Sequence, residues 1–121
     1  MSSLPSSMEP SAFDLLRRQY ALRLPASLEE LTGPVAGTVE LPLHVVWSGR
    51  RSYGLDQPRS RMSLYRTVLT EGQRQDLVAF LNSDLLVAQW PVLRTLISRP
   101  LRDAWEGRFA ELAAKRPATA A

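Results

Sequence analysis

The stretch DQPRSRMSLYRTVLTEG, residues 56–72, combines the start of an amphipathic helix with a cluster of arginines. Asp56 suits an N-cap position, Pro58 fits the first helical turn, and Gly72 is expected to end the helix in a left-handed conformation. Apolar residues recur between them at helical spacing. These residues are Met62, Tyr65 and Leu69 on one stripe, with Leu64 and Val68 beside it. The pattern predicts a helix that buries one face and exposes arginines.

Downstream of this stretch the sequence predicts three more helical segments. The first carries Leu77, Phe80 and Leu81 as its apolar residues. Ser83 is expected to cap a segment from Asp84 to Trp90, where Pro91 should force a break or kink. Ser98 and Pro100 open the last helix. The predicted inner face of that helix consists of Leu101, Ala104, Trp105, Phe109 and Leu112.

Upstream, residues 10–24 show apolar spacing typical of another amphipathic helix, which Pro25 should stop. The apolar residues of this pattern are Phe13, Leu16, Tyr20 and Leu24. Ser27 and Glu30 have the spacing of a capping box, in which side chains satisfy free N–H groups at a helix start. We therefore expect one short helical turn there, closed by Gly33 and Pro34.

The segment TVELPLHVVW, residues 38–47, alternates apolar and polar residues and predicts a β-strand. Pro42 cannot donate to a β-ladder, so this strand should lie at an edge or be interrupted. The nearby segment that can pair with it is RRSYGL, residues 50–55, across Ser48 and Gly49. A two-stranded hairpin is marginal alone in water. Either the helices cover it or the sheet of a partner accepts it as an added strand.

These patterns predict a mainly α fold: a compact bundle of short helices with an N-terminal helix and one short β-hairpin or edge strand. Residues 1–37 are expected to form an N-terminal tail and an amphipathic helix arm. Residues 38–115 are expected to form the domain of hairpin plus helical bundle. Residues 116–121 are expected to be a disordered tail.

The composition excludes several kinds of chemistry. The chain of 121 residues has no cysteine, which excludes disulfides and thiol catalysis, and it has a single histidine. His44 has Ser48 and Ser52 near it in sequence but no orienting acid, so we expect it to be structural. No enzyme activity, cofactor or metal is expected. The sequence shows no signal peptide and no apolar run of about 20 residues, so we expect a cytoplasmic protein without membrane contact.

Positive charge is concentrated in one short region. Residues 50–66 contain five arginines against Asp56 alone, a balance of +4, whereas the whole chain has a net charge of +3. Such a local field attracts carboxylates or phosphates. The chain also contains Trp47, Trp90 and Trp105, and protein interfaces are enriched in large aromatic residues and arginine. The residues alone therefore favour a protein-binding module.

The alternative is a DNA-binding regulator of the helix-turn-helix type. The predicted helices at 58–70 and 74–82, with Glu71 and Gly72 between them, have the right order. The second helix is mostly apolar and contains Asp76, whereas a recognition helix presents several polar or basic residues to the major groove. Nucleic acid is therefore the second expectation for a partner.

Several short motifs between residues 41 and 109 resemble a known family. They are Tyr53-x-Leu55-Asp56-x-Pro58-x-x-Arg61, Tyr65-x-x-Val68-Leu69-x-Glu71-Gly72, Asp76, Leu85-Leu86, Trp90, Arg102 and Trp105-Glu106. This pattern is similar to small actinobacterial proteins encoded beside nucleotidyltransferase toxins of the AbiEii type, which act as their antitoxins. The resemblance does not extend to residues 1–37.

The resemblance implies a chain without enzyme activity that neutralises a toxin by binding it. The toxin of such a pair transfers nucleotides to RNA and uses acidic metal-binding residues. Guanidinium groups could then bind carboxylates of that partner in a bidentate manner or occupy the position of phosphates. On this basis we expect Arg61 and Tyr65 near the contact and Arg50 and Arg51 as steering charge. The full set of expected partner-binding residues is Arg50, Arg51, Arg59, Arg61, Tyr65 and Trp47.

Overall fold

The computed structural model describes residues 11–46 and 49–114, and it confirms a mainly α fold with a small antiparallel hairpin. The elements in chain order are α1 (Ala12–Ala21), a 3-10 turn (Leu28–Glu30), β1 (Thr38–Glu40), β2 (Ser52–Gly54), α2 (Pro58–Glu71), α3 (Arg74–Phe80), α4 (Ser83–Leu96), α5 (Arg99–Arg108) and α6 (Ala110–Ala113). One cluster of buried apolar residues runs from Leu24 to Leu112.

Helix α2 occupies the middle of the fold and touches β2, α3 and α4. Its N-cap is Gln57, with Pro58 at the first helical position, so the expectation that Asp56 caps the helix is wrong by one residue. Its predicted inner stripe is mostly confirmed. Leu64, Tyr65, Val68 and Leu69 are buried, whereas Met62 is half-buried.

Gly72 ends α2, but not in the left-handed conformation expected from the sequence. Its φ is −78° and its ψ is 154°, an extended conformation open to other residues. The constraint is instead the space available. A Cβ atom at Gly72 would lie 2.7 Å from the carbonyl oxygen of Val68 and 3.1 Å from the Cβ of Asp76. Glycine therefore lets the chain pass closely from α2 into α3.

Helix α4 is longer than predicted. Its N-cap is Asn82 rather than Ser83, because the Asn82 side-chain oxygen accepts the N–H groups of Asp84 at 3.0 Å and Leu85 at 3.2 Å. The break expected at Pro91 does not occur, and α4 continues to Leu96. Pro91 is exposed, so water can reach the carbonyl that loses its helical partner at the proline.

The inner face predicted for the last helix is confirmed, although the helix is divided at Phe109 into α5 and α6. The five predicted residues Leu101, Ala104, Trp105, Phe109 and Leu112 are all buried. The Trp105 ring lies 6.4 Å from Trp90 and 5.5 Å from Phe109. These spacings fall within the range in which aromatic pairs attract.

A buried polar cluster joins α4 to α5. The indole N–H of Trp90 and the Nε–H of Arg94 both donate to Oε2 of Glu106, each at 2.8 Å. The Arg94 and Glu106 side chains are only 16% and 7% exposed, so the ion pair is largely removed from water. Removing one member of such a pair costs more than the pair itself contributes, because the other charge stays buried.

The N-terminal helix is shorter than the predicted segment 10–24. Helix α1 begins after Ser11, whose hydroxyl accepts the N–H of Asp14 at 3.1 Å, and it packs along α5. No residue within Ala12–Ala21 is fully buried, so its apolar stripe is only partly covered. The predicted turn after it is confirmed: the N–H of Ser27 donates to the Glu30 carboxylate at 3.0 Å.

The core includes residues from both sides of position 37, where the sequence suggested a boundary. Leu24, Leu28 and Leu31 belong to the same buried cluster as the helices that come later in the chain. The chain then leads into the hairpin. The proposed division of the chain at this position stays a prediction.

The hairpin has the predicted pairing but a much shorter first strand. Val39 lies opposite Tyr53 in an antiparallel register, and both are buried in the core. The strand ends at Glu40 because the Pro42 carbonyl accepts the N–H groups of Val45 and Val46, which turns the chain. The sequence left two arrangements open, cover by the protein's own helices or pairing with a partner's sheet. Because Val39 and Tyr53 belong to the core and β2 contacts α2, the hairpin is covered by helices of its own chain.

Residues 31–33 pass very close to the junction of α3 and α4. The N–H of Gly33 donates to the Leu81 carbonyl at 2.8 Å, and the N–H of Ser83 donates to the Leu31 carbonyl at 3.1 Å. A Cβ atom at Gly33 would lie 2.5 Å from the carbonyl carbon of Phe80. Real Cβ atoms do not approach backbone so closely, so this crossing requires glycine.

Gly33→Ala should therefore lower the free energy of unfolding by about 1–3 kcal/mol, because backbone must move to admit the methyl group. Gly107→Ala is the matched control, since Gly107 lies in α5 and a Cβ there would meet nothing within 4 Å. It should be neutral or stabilise by up to about 1 kcal/mol. Urea unfolding measures both, and equal effects of the two variants would contradict this account.

Tyr65 joins α2 to the same junction from the other side. Its side chain is fully buried, and its hydroxyl oxygen accepts the N–H of Asn82 at 2.9 Å. Burial raises the pKa of Tyr65, although the hydrogen bond from Asn82 and the nearby charge of Arg61 oppose that shift. The native state therefore favours the protonated phenol.

Tyr65→Phe should lower the free energy of unfolding at neutral pH by about 1–3 kcal/mol, because the Asn82 N–H loses its acceptor. The raised pKa also predicts a pH effect. The stability that this pKa shift contributes is complete below the pKa of tyrosine in the unfolded chain, which is about 10. It is lost as pH rises through the higher pKa of Tyr65 in the native state. Between about pH 9 and 11 the wild type should thus lose more stability than Tyr65→Phe. Parallel loss in urea titrations of both proteins would contradict the raised pKa.

Candidate functional site

The structure does not bring the six expected partner-binding residues together on one surface. Trp47 lies outside the described residues. The other five are Arg50, Arg51, Arg59, Arg61 and Tyr65, and among them only Arg59 has no side-chain hydrogen bond or ion pair within the described residues. This division decides which part of the arginine cluster can meet a partner.

Arg50 holds the hairpin against the start of α2. Its Nε–H donates to the Ser52 carbonyl at 2.8 Å, and its Nη2 donates to the hydroxyl of Ser60 at 3.0 Å. The guanidinium carbon lies 5.2 Å from the centre of the Tyr53 ring, a cation–π distance. Ser60 is buried, and its hydroxyl also accepts the N–H of Gly54 at 2.9 Å. Arg50 is thus engaged within the fold.

Arg51 pairs with Glu40 across the two strands at 3.3 Å. The two side chains are 38% and 68% exposed, and exposed pairs of this kind contribute about 1 kcal/mol or less. The pair nevertheless neutralises Arg51 locally. The steering charge expected from this residue is therefore reduced by its own neighbour.

Arg61 and Tyr65 turn inward, and the expectation that they contact a partner stays a prediction. Arg61 donates from Nη1 to the Leu55 carbonyl at 3.1 Å, and its Nε is buried without a hydrogen-bond partner. Tyr65 is 0% exposed. At spacing i, i+4 both residues share the inner side of α2, where they support the hairpin and the core.

Arg59 and Arg66 lie on the exposed side of α2. Among the hydrogen bonds and ion pairs of residues 11–46 and 49–114, neither guanidinium group has a partner. They are seven residues apart, which is two helical turns, or about 10.5 Å along the axis. These two arginines therefore present the available positive charge of the cluster.

An open groove runs beside these two arginines, between α2 and the end of α4. One part, of about 270 Å³, is lined by Arg59, Met62, Ser63, Arg66 and Leu96. A larger part, of about 550 Å³, shares Arg66 and Leu96 with the first, which makes the two continuous. Its further walls include Tyr20, Val46, Thr67, Thr70, Glu71 and Ile97. We call this surface the α2 groove.

Positive, negative and apolar side chains occupy different parts of the α2 groove. Arg59 places positive charge at one end, Glu71 places negative charge at the other, and Arg66 lines both parts of the groove between them. Apolar surface lies between them, including Leu96, which is 41% exposed. At the Glu71 end, Tyr20 is held by Arg23, whose guanidinium carbon lies 5.6 Å from the ring centre. A ligand with separate carboxylates for Arg59 and Arg66 and apolar side chains for Met62 and Leu96 matches this surface.

His44 has the orienting acid that the sequence did not reveal. Its Nε2 lies 2.9 Å and 3.0 Å from the two oxygens of the buried carboxylate of Asp76, which also accepts the N–H of Gln73 at 2.8 Å. The sequence did not indicate Asp76 as the partner of His44, because the two residues are 32 positions apart. Within the described residues no hydroxyl bonds to His44, so the pair links the turn after Pro42 to α3.

Two further properties concern the described residues as a whole. Within residues 11–46 and 49–114, no group of three or more histidine, cysteine or acidic side chains is arranged to hold a metal ion. In the same part of the chain, no helix combines the length and apolar character needed to cross a membrane.

Comparisons with known proteins find no matching family model, no matching curated protein and no matching solved structure. The resemblance to toxin-neutralising proteins therefore stays a prediction from the sequence. The contact surface, by contrast, is inferred from the geometry of the α2 groove.

Sequence reasoning missed Arg66 and Leu96 as site residues. Arg66 had a usable signal, since it stands seven residues after Arg59 and thus on the same side of the predicted helix. Leu96 had no such signal. It comes close to α2 only because α4 continues past Pro91.

Arg59 and Arg61 should differ sharply when their charge is reversed. Arg61→Glu places a carboxylate beside the Leu55 carbonyl and should lower the free energy of unfolding by about 1–3 kcal/mol. Arg59→Glu, at an exposed position on the same helix, should change it by less than about 0.5 kcal/mol. Urea unfolding followed by circular dichroism gives both values. If Arg59→Glu proves the more destabilising, the assignment of inward and outward arginines is incorrect.

Proposed function

We propose that this chain is a non-catalytic protein-binding module that neutralises a nucleotidyltransferase toxin in the cytoplasm by binding it. One observation supports the contact surface. Arg59 and Arg66 face solvent beside a groove, whereas Arg50, Arg51 and Arg61 bond within the fold. A partner thus meets two solvent-facing guanidinium groups without having to break bonds between the described residues.

The chemistry of the α2 groove fits a protein partner. Arginine binds carboxylates through two parallel hydrogen bonds, which fixes both position and orientation. Met62 and Leu96 supply apolar area between the charges, as in protein interfaces whose centre is apolar and whose rim is polar. Phosphates would use the arginines but would gain little from this apolar surface.

The toxin as partner comes from the resemblance over residues 41–109. The toxins of that family carry acidic metal-binding residues, and carboxylates are the groups that Arg59 and Arg66 can bind. The proposal therefore combines a partner taken from the resemblance with a contact surface taken from the geometry.

DNA binding stays the second candidate, and the geometry of α3 does not favour it. This helix has seven residues, and its Asp76 and Leu77 are buried. Its basic residue Arg74 donates to the Leu22 carbonyl at 3.1 Å, so that side chain is directed toward its own chain. Few side chains remain for base edges in a major groove.

Co-expression of the tagged chain with its neighbouring genes should yield a stoichiometric complex with a nucleotidyltransferase that survives moderate salt. The double variant Arg59→Glu/Arg66→Glu should weaken this complex at least about 100-fold, because two side chains that attract carboxylates of the partner become two that repel them. Arg18→Glu is the matched control. Arg18 is an exposed helical arginine two residues before Tyr20, about 200° around α1 from that groove residue.

The readouts are mass identification of the bound protein and the dissociation constant of each variant. A chain that purifies alone, or with bound DNA instead of a nucleotidyltransferase, would contradict the proposal. Arg66→Glu changes the net charge by the same amount as Arg18→Glu, so equal loss of binding in these two single variants would assign the effect to overall charge rather than to the α2 groove.

A further inference from the structure

We infer that the α2 groove binds an amphipathic α-helix with two carboxylates two turns apart and apolar side chains between them. The inference rests on the proposed function, because it specifies the partner segment that occupies the same groove. It is drawn from charge, spacing and backbone hydrogen bonding at this surface.

The charge pattern selects an acidic ligand. Arg59 and Arg66 are exposed and, within the described residues, have no ion-pair partner, while Glu71 lies at the opposite end of the groove. A carboxylate is attracted by Arg59 and Arg66 and is repelled by Glu71. The ligand should therefore be acidic toward Arg59 and neutral or basic toward Glu71.

The spacing of the two arginines matches a helical repeat. Residues seven apart on a helix lie on one side of it and are separated by about 10.5 Å along the axis. A second helix lying along α2 repeats with the same period, so carboxylates seven residues apart face both arginines together. Apolar residues three or four positions after the first carboxylate then lie over Met62 and Leu96.

Backbone hydrogen bonding favours a helix over an extended peptide. Helix α2 supplies seven of the thirteen residues that line the groove, and its own backbone groups are already paired within the helix. An extended peptide docked there would lose water from its N–H and C=O groups without gaining a β-strand edge in return. A helix satisfies these groups internally and presents side chains alone.

The length of the groove sets the length of the ligand. From Arg59 to Glu71 the lining residues span thirteen positions of α2, which is about three turns or 18 Å. A helix of about 12–16 residues fills this distance. Recognition of such a helix by an apolar groove is a recurrent mode of protein binding.

The test uses the full chain and a labelled, alanine-rich helical peptide of about 16 residues. The peptide carries glutamates at its third and tenth positions and leucines at its sixth and thirteenth. A matched peptide replaces both glutamates with glutamines and keeps the rest. Fluorescence anisotropy at low salt should give at least about tenfold tighter binding of the acidic peptide, a preference that decreases as salt rises.

Protein variants locate the binding. Arg66→Glu should abolish the preference for the acidic peptide, whereas Arg18→Glu should retain it. Leu96→Gln should weaken the acidic peptide about tenfold through lost apolar contact. Val35→Gln is its control, because Val35 is also exposed, at 59%, and does not line the groove.

Equal binding of the two peptides, or a preference that survives Arg66→Glu, would overturn the inference. An RNA of 16 nucleotides that binds more tightly than the acidic peptide and loses affinity in Arg66→Glu would also overturn it, by showing a nucleic-acid site. The outcome is separable from that of the proposed function. If the nucleotidyltransferase complex forms and depends on Arg59 and Arg66 while the peptide does not bind, the helical ligand is wrong and the binding function stands.

Discussion

The fold depends on how closely three parts of the chain meet at the junction between α3 and α4. The loop at Gly33 crosses this junction at a distance that excludes a Cβ atom, and the Tyr65 hydroxyl accepts the Asn82 N–H from the opposite side. The first half of the chain is thus fastened to the second by backbone groups rather than by apolar contact alone. The direction of α2 is set by this junction, since Tyr65 must reach it while the opposite side of the helix faces solvent.

The roles of the arginines in residues 50–66 also depend on α2. Arg61 lies on the side that supports the hairpin and the core, and Arg50 ties the hairpin to Ser60 at the start of α2. Arg59 and Arg66 lie on the other side. The net charge of +4 over residues 50–66 therefore combines arginines with two different roles. One kind organises the fold, and the other is available to a ligand.

The helices, the inner face of α5 and α6, and the pairing of the strands could be predicted from the sequence because each depends on local periodicity. Phe109, for example, belongs to the predicted inner face even though the helix is divided there. The errors arose where distant residues, exposure to water or available space decide. The His44–Asp76 pair joins residues 32 positions apart, and the passage of α4 through Pro91 depends on exposure to water. The role of Gly72 is local but depends on space rather than on φ, because Val68 and Asp76 leave no room for a Cβ atom.

The candidate site, too, could be predicted from the sequence only in part. The cluster of arginines pointed to α2, but helical phase decides which of them lack a partner within the described residues. Tyr65 was expected near a contact on the basis of the resemblance, whereas its stripe with Leu69 placed it in the core. The α2 groove also needs Leu96, which only the packing of α4 beside α2 brings near.

The separation of inward and outward arginines has an evolutionary consequence. Positions 59 and 66 lie on the surface of α2, so substitutions there change the charge offered to a partner at little cost to the core. Duplicated copies of such a gene can therefore diverge in partner choice at two positions while inheriting the same hairpin, junction and buried helices. Cross-reaction between copies is then avoided by unfavourable charge pairs, without a new fold.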